Sequence, residues 1–198
     1  MRNIDYSVTI PLYIVLMLIF VTTHSVYASE DLWKALKEGG KVVLIRHAPV
    51  EMGAAHGNPL LRDPSCKHER NLSTQGKLDA ELVGSRFREH NISVSEVLHS
   101  PFCRTTDTAQ FAFGKASPAA YLSLLEILGP EEAVRQTEIL IQIIGSYVGD
   151  GNLVLVTHEP NIRAISFELM QHLDLLIVEP KGQGVFEELG VIRFTDSK

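Results

Sequence analysis

Two short apolar runs stand out along the chain: Lys41–Ile45 (Lys-Val-Val-Leu-Ile) after Gly39-Gly40, and Asn152–Val156 (Asn-Leu-Val-Leu-Val) after Gly149-Asp150-Gly151. Neither alternates with polar residues, so each reads as a strand covered on both faces. Val94–Leu98 is a third, weaker strand. Within Ser73–His90, Leu78, Leu82, Val83 and Phe87 recur at helical spacing, with Ser73 or Thr74 as the N-cap. A helix start follows Pro101 over Phe102–Phe113. Glu131–Val148 reads as a longer amphipathic helix with Val134, Ile141, Ile144 and Val148 on one face, and Asn161–His172 as another helix. Val185-Phe186 and Val191–Phe194 read as strands around Glu188-Leu189-Gly190. Strands alternating with helices predict an α/β fold, a three-layer sandwich with a largely parallel central sheet.

The pattern before residue 29 is different in kind. Met1-Arg2-Asn3 opens the chain, an apolar run extends from Ile10 to Val21, and Val26-Tyr27-Ala28 ends the segment. A charged start, a short apolar core and small residues at a cut describe a secretory signal, cleaved after Ala28. The alternative is a retained anchor, but a membrane span needs about 20 apolar residues. The expected organisation is therefore 1–28 as a signal peptide and 29–198 as one domain. The protein would be exported, periplasmic or secreted, with no stable membrane insertion after cleavage.

Composition narrows the function. Lys and Arg number 18 against 24 Asp and Glu, giving a formal charge of −6. Removing Arg2 and Asp5 with the signal leaves that balance unchanged. A general nucleic-acid binder needs a basic surface, so no nucleic-acid partner is expected. Two cysteines are too few for a disulfide-framework miniprotein or a four-thiolate zinc site. In an oxidising compartment Cys66 and Cys103 either form one disulfide or stay as buried thiols; sequence separation does not decide between them. No Walker loop is present, and Gly182-Gln183-Gly184 follows no buried strand, so it is no dinucleotide fingerprint.

The candidate chemistry lies just past the strands. The first strand runs into Arg46-His47-Ala48, the second apolar run into Thr157-His158-Glu159-Pro160, and Val94–Leu98 leads to Ser100-Pro101-Phe102-Cys103-Arg104. Ligands bind at the carboxyl ends of strands in open α/β sheets. Guanidinium forks grip phosphate oxygens, imidazole is a nucleophile or a clamp, and a carboxylic acid protonates a leaving alkoxide. Such a set supports phosphoryl transfer with no metal or cofactor. Each residue alone has a blander reading as a surface cation, a structural histidine or a solvated carboxylate.

Together the pieces resemble the histidine phosphatase superfamily, also called phosphoglycerate mutase-like. The matching segments are Leu44-Ile45-Arg46-His47-Ala48, Leu72-Ser73-Thr74-Gln75-Gly76, Ser100-Pro101 through Arg104 to Thr108-Ala109, and Val156-Thr157-His158. The resemblance implies that His47 becomes phosphorylated, that Arg46, Arg104 and His158 hold the phosphoryl group, and that water hydrolyses the phosphohistidine. The family usually has Gly after its Arg-His pair, where Ala48 stands here; Ala is tolerated unless φ is positive. One branch places an acid after its second histidine, resembling His158-Glu159. Another uses a Glu after the Arg-bearing helix, resembling Leu124-Leu125-Glu126. Glu159 is preferred for its adjacency to His158, with Glu126 retained.

The expectation is an exported phosphoric monoester hydrolase acting on a small-molecule or glycan phosphate ester. The alternatives are a non-catalytic phosphate-binding member of the same fold, a mutase-like phosphotransferase, and a phosphatase of phosphohistidine proteins. His56, Asn58, Arg62, Lys67, His68 and Arg70 read mainly as a solvated loop that also shapes the pocket. A metal site from His47, His56 and His68 shows no recognised ligand pattern, so none is expected.

Overall fold

A computed structural model describes residues 29–197. The signal read at 1–28 lies outside the described residues. Residues 29–38 form a helix (α1). It leads to β1 (Val42–Arg46), α2 (Thr74–Glu89), β2 (Val94–His99), α3 (Cys103–Phe113) and a two-residue β3 (Ser117–Pro118). Then come α4 (Pro130–Gly145), β4 (Asn152–Thr157), the single-turn α5 (Glu159–Arg163), β5 (Leu175–Gly182) and β6 (Val185–Ile192). One sheet carries all six strands in the order β3-β2-β4-β1-β5-β6. The four from β3 to β1 are parallel, while β5 and β6 run antiparallel.

The expected sandwich follows from strand alternation. Val43, Ile45, Val154, Val156 and Ile177 face one side, against Leu36 of α1, Val83 and Phe87 of α2 and Ala109 of α3. Val42, Leu44, Leu153, Leu155, Leu176 and Val178 face the other, against Leu140 and Ile144 of α4 and Ile162 of α5. Both faces are covered, which is why β1 and β4 read as unbroken apolar runs. The Ser73 hydroxyl caps α2 by accepting from Gly76 N–H at 2.9 Å. A Cβ on Gly84 would stand 1.8 Å from Ala112 O, so glycine there permits α2 and α3 to pack in close contact.

Four readings need correction. The buried face of α4 is Gln136, Leu140 and Ile144; Val134 and Val148 are exposed, and the helix stops at Gly145 before Val148. The burial sits instead on the residues that meet β5 and β6. Leu78 likewise points to solvent from α2. The tail strands are one continuous β6, paired with β5 at Leu175–Gly182, where no strand was expected although Leu175–Val178 carried the signal. The helix expected over Asn161–His172 ends at Arg163. Tertiary hydrogen bonds from Met170–Leu173 to Arg46 and His47, described next, hold the end of that segment in an irregular, non-helical path.

Candidate active site

Sheet register builds the site. β1 and β4 pair Arg46 with Thr157, and His47 N–H donates to Thr157 O at 3.0 Å, so His47 and His158 emerge side by side. Ser100 N–H donates to Val156 O at 2.9 Å, which brings the end of β2 to the same edge. α3 starts there and carries Arg104 on its first turn. Thr108 fastens α3 to β1: its hydroxyl accepts from Ala48 N–H at 2.9 Å and donates to Arg104 O at 2.7 Å.

Arg104 bridges the two histidines. Its Nε donates to His47 Nε2 and its Nη2 to His158 Nδ1, both at 3.2 Å. Arginine only donates, so both ring nitrogens facing it are unprotonated. His47 then carries its proton on Nδ1, donating to Ala48 O at 2.9 Å, and His158 on Nε2, donating to the Ser100 hydroxyl at 2.8 Å. The His158 ring lies edge-on to Phe102 with centroids 5.1 Å apart, and the Arg104 guanidinium sits 4.5 Å over the same ring. All three polar groups are buried. Burial pushes the His47 imidazole well below its usual range, and the charges of Arg104 and, more weakly, His172 and Arg46 add to this against the Ala48 carbonyl. Burial does the same to His158, helped by His47 and Arg104. Burial also lowers Arg104 to about 10, opposed by Glu69, which leaves it cationic at neutral pH. The site thus pairs neutral imidazoles with a charged guanidinium.

Arg46 is held by residues that the sequence reading missed. Its Nη1 donates to Met170 O at 2.7 Å, and its Nη2 lies 3.5 Å from His172 Nε2. His172 Nδ1 donates to His47 O at 2.8 Å, and Leu173 N–H donates to Arg46 O at 3.0 Å. Met170–Leu173 therefore clamps the Arg-His pair from behind. Leu173 adopts φ 64°, a left-handed conformation that costs a non-glycine residue about 1 kcal/mol or more and is kept where surroundings enforce it. No local motif flags this clamp; the signal was a polar histidine directly before an apolar strand.

These side chains line one cavity of about 270 Å³. Arg46, His47, Arg104, His158, Glu126 and Glu159 all reach it, so every candidate site residue meets there. Buried Arg46 Nε and Arg104 Nη1 have no hydrogen-bond partner, an arrangement that favours an anion able to accept from them. Glu159 lies at the start of α5 in an ion pair with Arg163 at 3.7 Å. Glu126 is exposed on a 3-10 turn, Leu125–Ile127, and among the described residues no ion pair engages it. That turn is tied to α5, because Asn161 accepts from Leu125 N–H at 3.3 Å and donates to Ser123 O at 2.7 Å. Ala48 does not take a positive φ, so replacing glycine there imposes no backbone strain.

The loop after His47 is more ordered than a solvated loop. Cys66 and Cys103 form a disulfide with Cα atoms 5.8 Å apart. Buried Glu69 accepts from Cys103 N–H and Asp63 N–H, both at 2.8 Å, and pairs with Arg62 at 3.2 Å. Of the six polar loop residues, Arg70 alone lines the cavity. His56 and His68 are not drawn to His47, and among the described residues no three metal-ligating side chains gather.

Comparison with known proteins places this geometry. Residues 42–125 match the sequence profile of the histidine phosphatase superfamily, branch 1. No curated protein sequence matches the chain significantly. Among solved structures, the protein histidine phosphatase SixA complexed with tungstate is 14% identical, with a TM-score of 0.57 over 80% of this chain and 99% of that one. YhfR of Bacillus stearothermophilus is 13% identical, TM-score 0.55, over 75% and 94%. The mycobacterial glucosyl-3-phosphoglycerate phosphatase is 13% identical, TM-score 0.50, over 70% and 89%. At these identities the likeness is one of fold. The profile match brings Arg46, His47 and Arg104 to the cavity, and His158 completes it from outside the matched stretch. Motif and geometry agree: residues 42–125 are similar to the histidine phosphatase superfamily, branch 1, and the fold is that of its solved members.

Proposed function

We propose that the protein is a metal-independent phosphoric monoester hydrolase working through phospho-His47. One observation carries this reading: His47 Nε2, kept unprotonated, shares a cavity with two guanidiniums that have no carboxylate within 4.0 Å among the described residues. His47 Nε2 attacks phosphorus and the ester P–O bond breaks. Arg46, Arg104 and His158 take up charge on the equatorial oxygens. A wall carboxylic acid gives its proton to the departing oxygen. The resulting carboxylate then takes a proton from water, the hydroxide attacks phosphorus, and the P–Nε2 bond breaks to release phosphate and His47.

For the acid we choose Glu126, because Glu159 is engaged by Arg163 while Glu126 is not. Export belongs to the same proposal; it rests on the signal-like pattern of 1–28 and agrees with the Cys66–Cys103 disulfide. The test is turnover of an aryl phosphate by the protein and by His47→Ala, with EDTA present. We expect an acid-labile phosphoenzyme in the parent and a loss of at least about a thousandfold in the variant. Unchanged turnover in His47→Ala would reject the nucleophile.

A further inference from the structure

The cavity holds more positive charge than a phosphoryl group alone requires. Outside the cavity, Arg62, Arg86, Arg135, Arg163 and Arg193 each have a carboxylate within 4.0 Å, and Arg88 is bonded to the Ser85 hydroxyl. The three cavity arginines, Arg46, Arg70 and Arg104, have none among the described residues. Arg46 and Arg104 belong to the transfer site and match the two charges of a phosphate monoester. Arg70 is surplus to it.

Arg70 is also fixed in place. Its Nη2 donates to Gly53 O and Gly57 O, both at 3.2 Å, and among the described residues no bond engages Nη1. Its Nε is buried and unpartnered. The segment that bears it is fastened next to Arg104 twice, through Cys66–Cys103 and through Glu69 on Cys103 N–H. Its charge depresses the Arg104 guanidinium, as expected of two cations sharing a cavity. The apolar wall of Val50, Pro59, Leu60, Leu124 and Pro160 offers room for a carbon skeleton.

We propose that Arg70 forms a second anion subsite in the cavity, so that the preferred substrate is a phosphate monoester whose alcohol portion carries a further anionic group. The proposal rests on the phosphatase reading for the word substrate, but the subsite is testable by binding alone. The unpaired guanidinium, the cavity and the rigid loop support it.

The experiment uses the disulfide-intact protein and non-hydrolysable ligands. Calorimetry compares benzylphosphonate with its 2-, 3- and 4-carboxy derivatives on the parent, Arg70→Gln and Arg70→Lys. We expect at least one carboxylated isomer to bind about 10–100-fold more tightly than benzylphosphonate in the parent, the range of one charge-assisted contact. Arg70→Gln should erase that preference while keeping benzylphosphonate affinity within about threefold, and Arg70→Lys should keep part of it. Equal affinities for all four ligands in the parent would overturn the proposal without any variant. An equal loss for every ligand in Arg70→Gln would overturn it too, by making Arg70 a ligand of the phosphoryl group or a prop of the loop. Absence of phenyl phosphate turnover alongside intact discrimination would count against the hydrolase and sustain the subsite.

Discussion

Opening the Cys66–Cys103 bridge tests the loop's role in both stability and catalysis. The bridge joins residues 37 apart in sequence. In the chain-entropy treatment, a loop of that length restricts the unfolded ensemble by about 4 kcal/mol at 25 °C. For a domain of this size each kcal/mol moves the melting temperature by about 2–4 °C. The double variant Cys66→Ser/Cys103→Ser should therefore melt about 8–15 °C below the oxidised parent. Adding a reductant to the parent should reproduce most of that shift, and alkylation should count two thiols only after reduction. Catalysis should respond unevenly. Glu69 still holds Cys103 N–H, so Arg104 keeps its anchor, whereas the segment bearing Pro59, Leu60 and Arg70 loses one of its two fastenings. KM should rise several-fold while kcat falls less. A melting temperature within about 2 °C of the parent, or a fall in kcat with KM unchanged, would refute the idea that the bridge fixes this wall of the cavity.

Other outcomes follow from the same geometry. Glu126→Gln should slow hydrolysis of alkyl phosphates about 100-fold or more while sparing nitrophenyl phosphate, whose leaving group needs no proton; the same selective loss in Glu159→Gln instead would move the donor to α5. His47 and His158 are held well below their usual 6.5 by burial, so the unfolded chain binds more protons than the folded one as pH falls below that value. Stability should therefore drop with acidification, by up to about 1.4 kcal/mol per pH unit for each histidine, until their folded-state values are passed. Denaturant titrations from pH 7 to 5 check this, and a flat profile contradicts it. His172→Ala should lower kcat about 10–100-fold through Arg46 and His47, because it removes the Nδ1 bond to His47 O; His172→Gln, whose amide can also donate, should recover part of the loss.

The parts of the fold legible in sequence are those where local pattern and burial coincide. β1 and β4 are buried on both faces, so their apolar runs needed no context. α4 was harder because three of its apolar residues, Val134, Ile139 and Ile143, lie outside the buried stripe, and periodicity alone cannot say which stripe a sheet will cover. The same contrast divides the site. Arg46, His47, Arg104 and His158 were readable because each sits within a few residues of a strand end, and register does the rest. His172 and Arg70 arrive through loops whose paths are set by contacts with distant residues: His47 O for one, Gly53 O and Gly57 O for the other. Nothing within either segment encodes those partners.

That division bears on how the cavity can stay positive in a chain of charge −6. Three carboxylates near the site have other partners, while Glu126 on the cavity wall has no ion pair among the described residues. Glu69 faces backbone N–H groups and Arg62, Asp174 faces Arg193 and the backbone N–H of Gln171 and Phe194, and Glu159 faces Arg163. Each could otherwise have neutralised a cavity arginine. In a low-dielectric cavity an unpaired guanidinium is costly, so an arrangement that diverts three nearby acids keeps that cost in place until an anion arrives. The diversion also yields a graded test. Arg62→Gln removes the cationic partner of Glu69 without touching the cavity wall, leaving the carboxylate on its backbone donors, and it should weaken phosphate binding by increasing the negative charge felt at Arg104. If Arg62→Gln binds inorganic phosphate as tightly as the parent at low salt, where such coupling is strongest, the diverted acids do not set the affinity of the site.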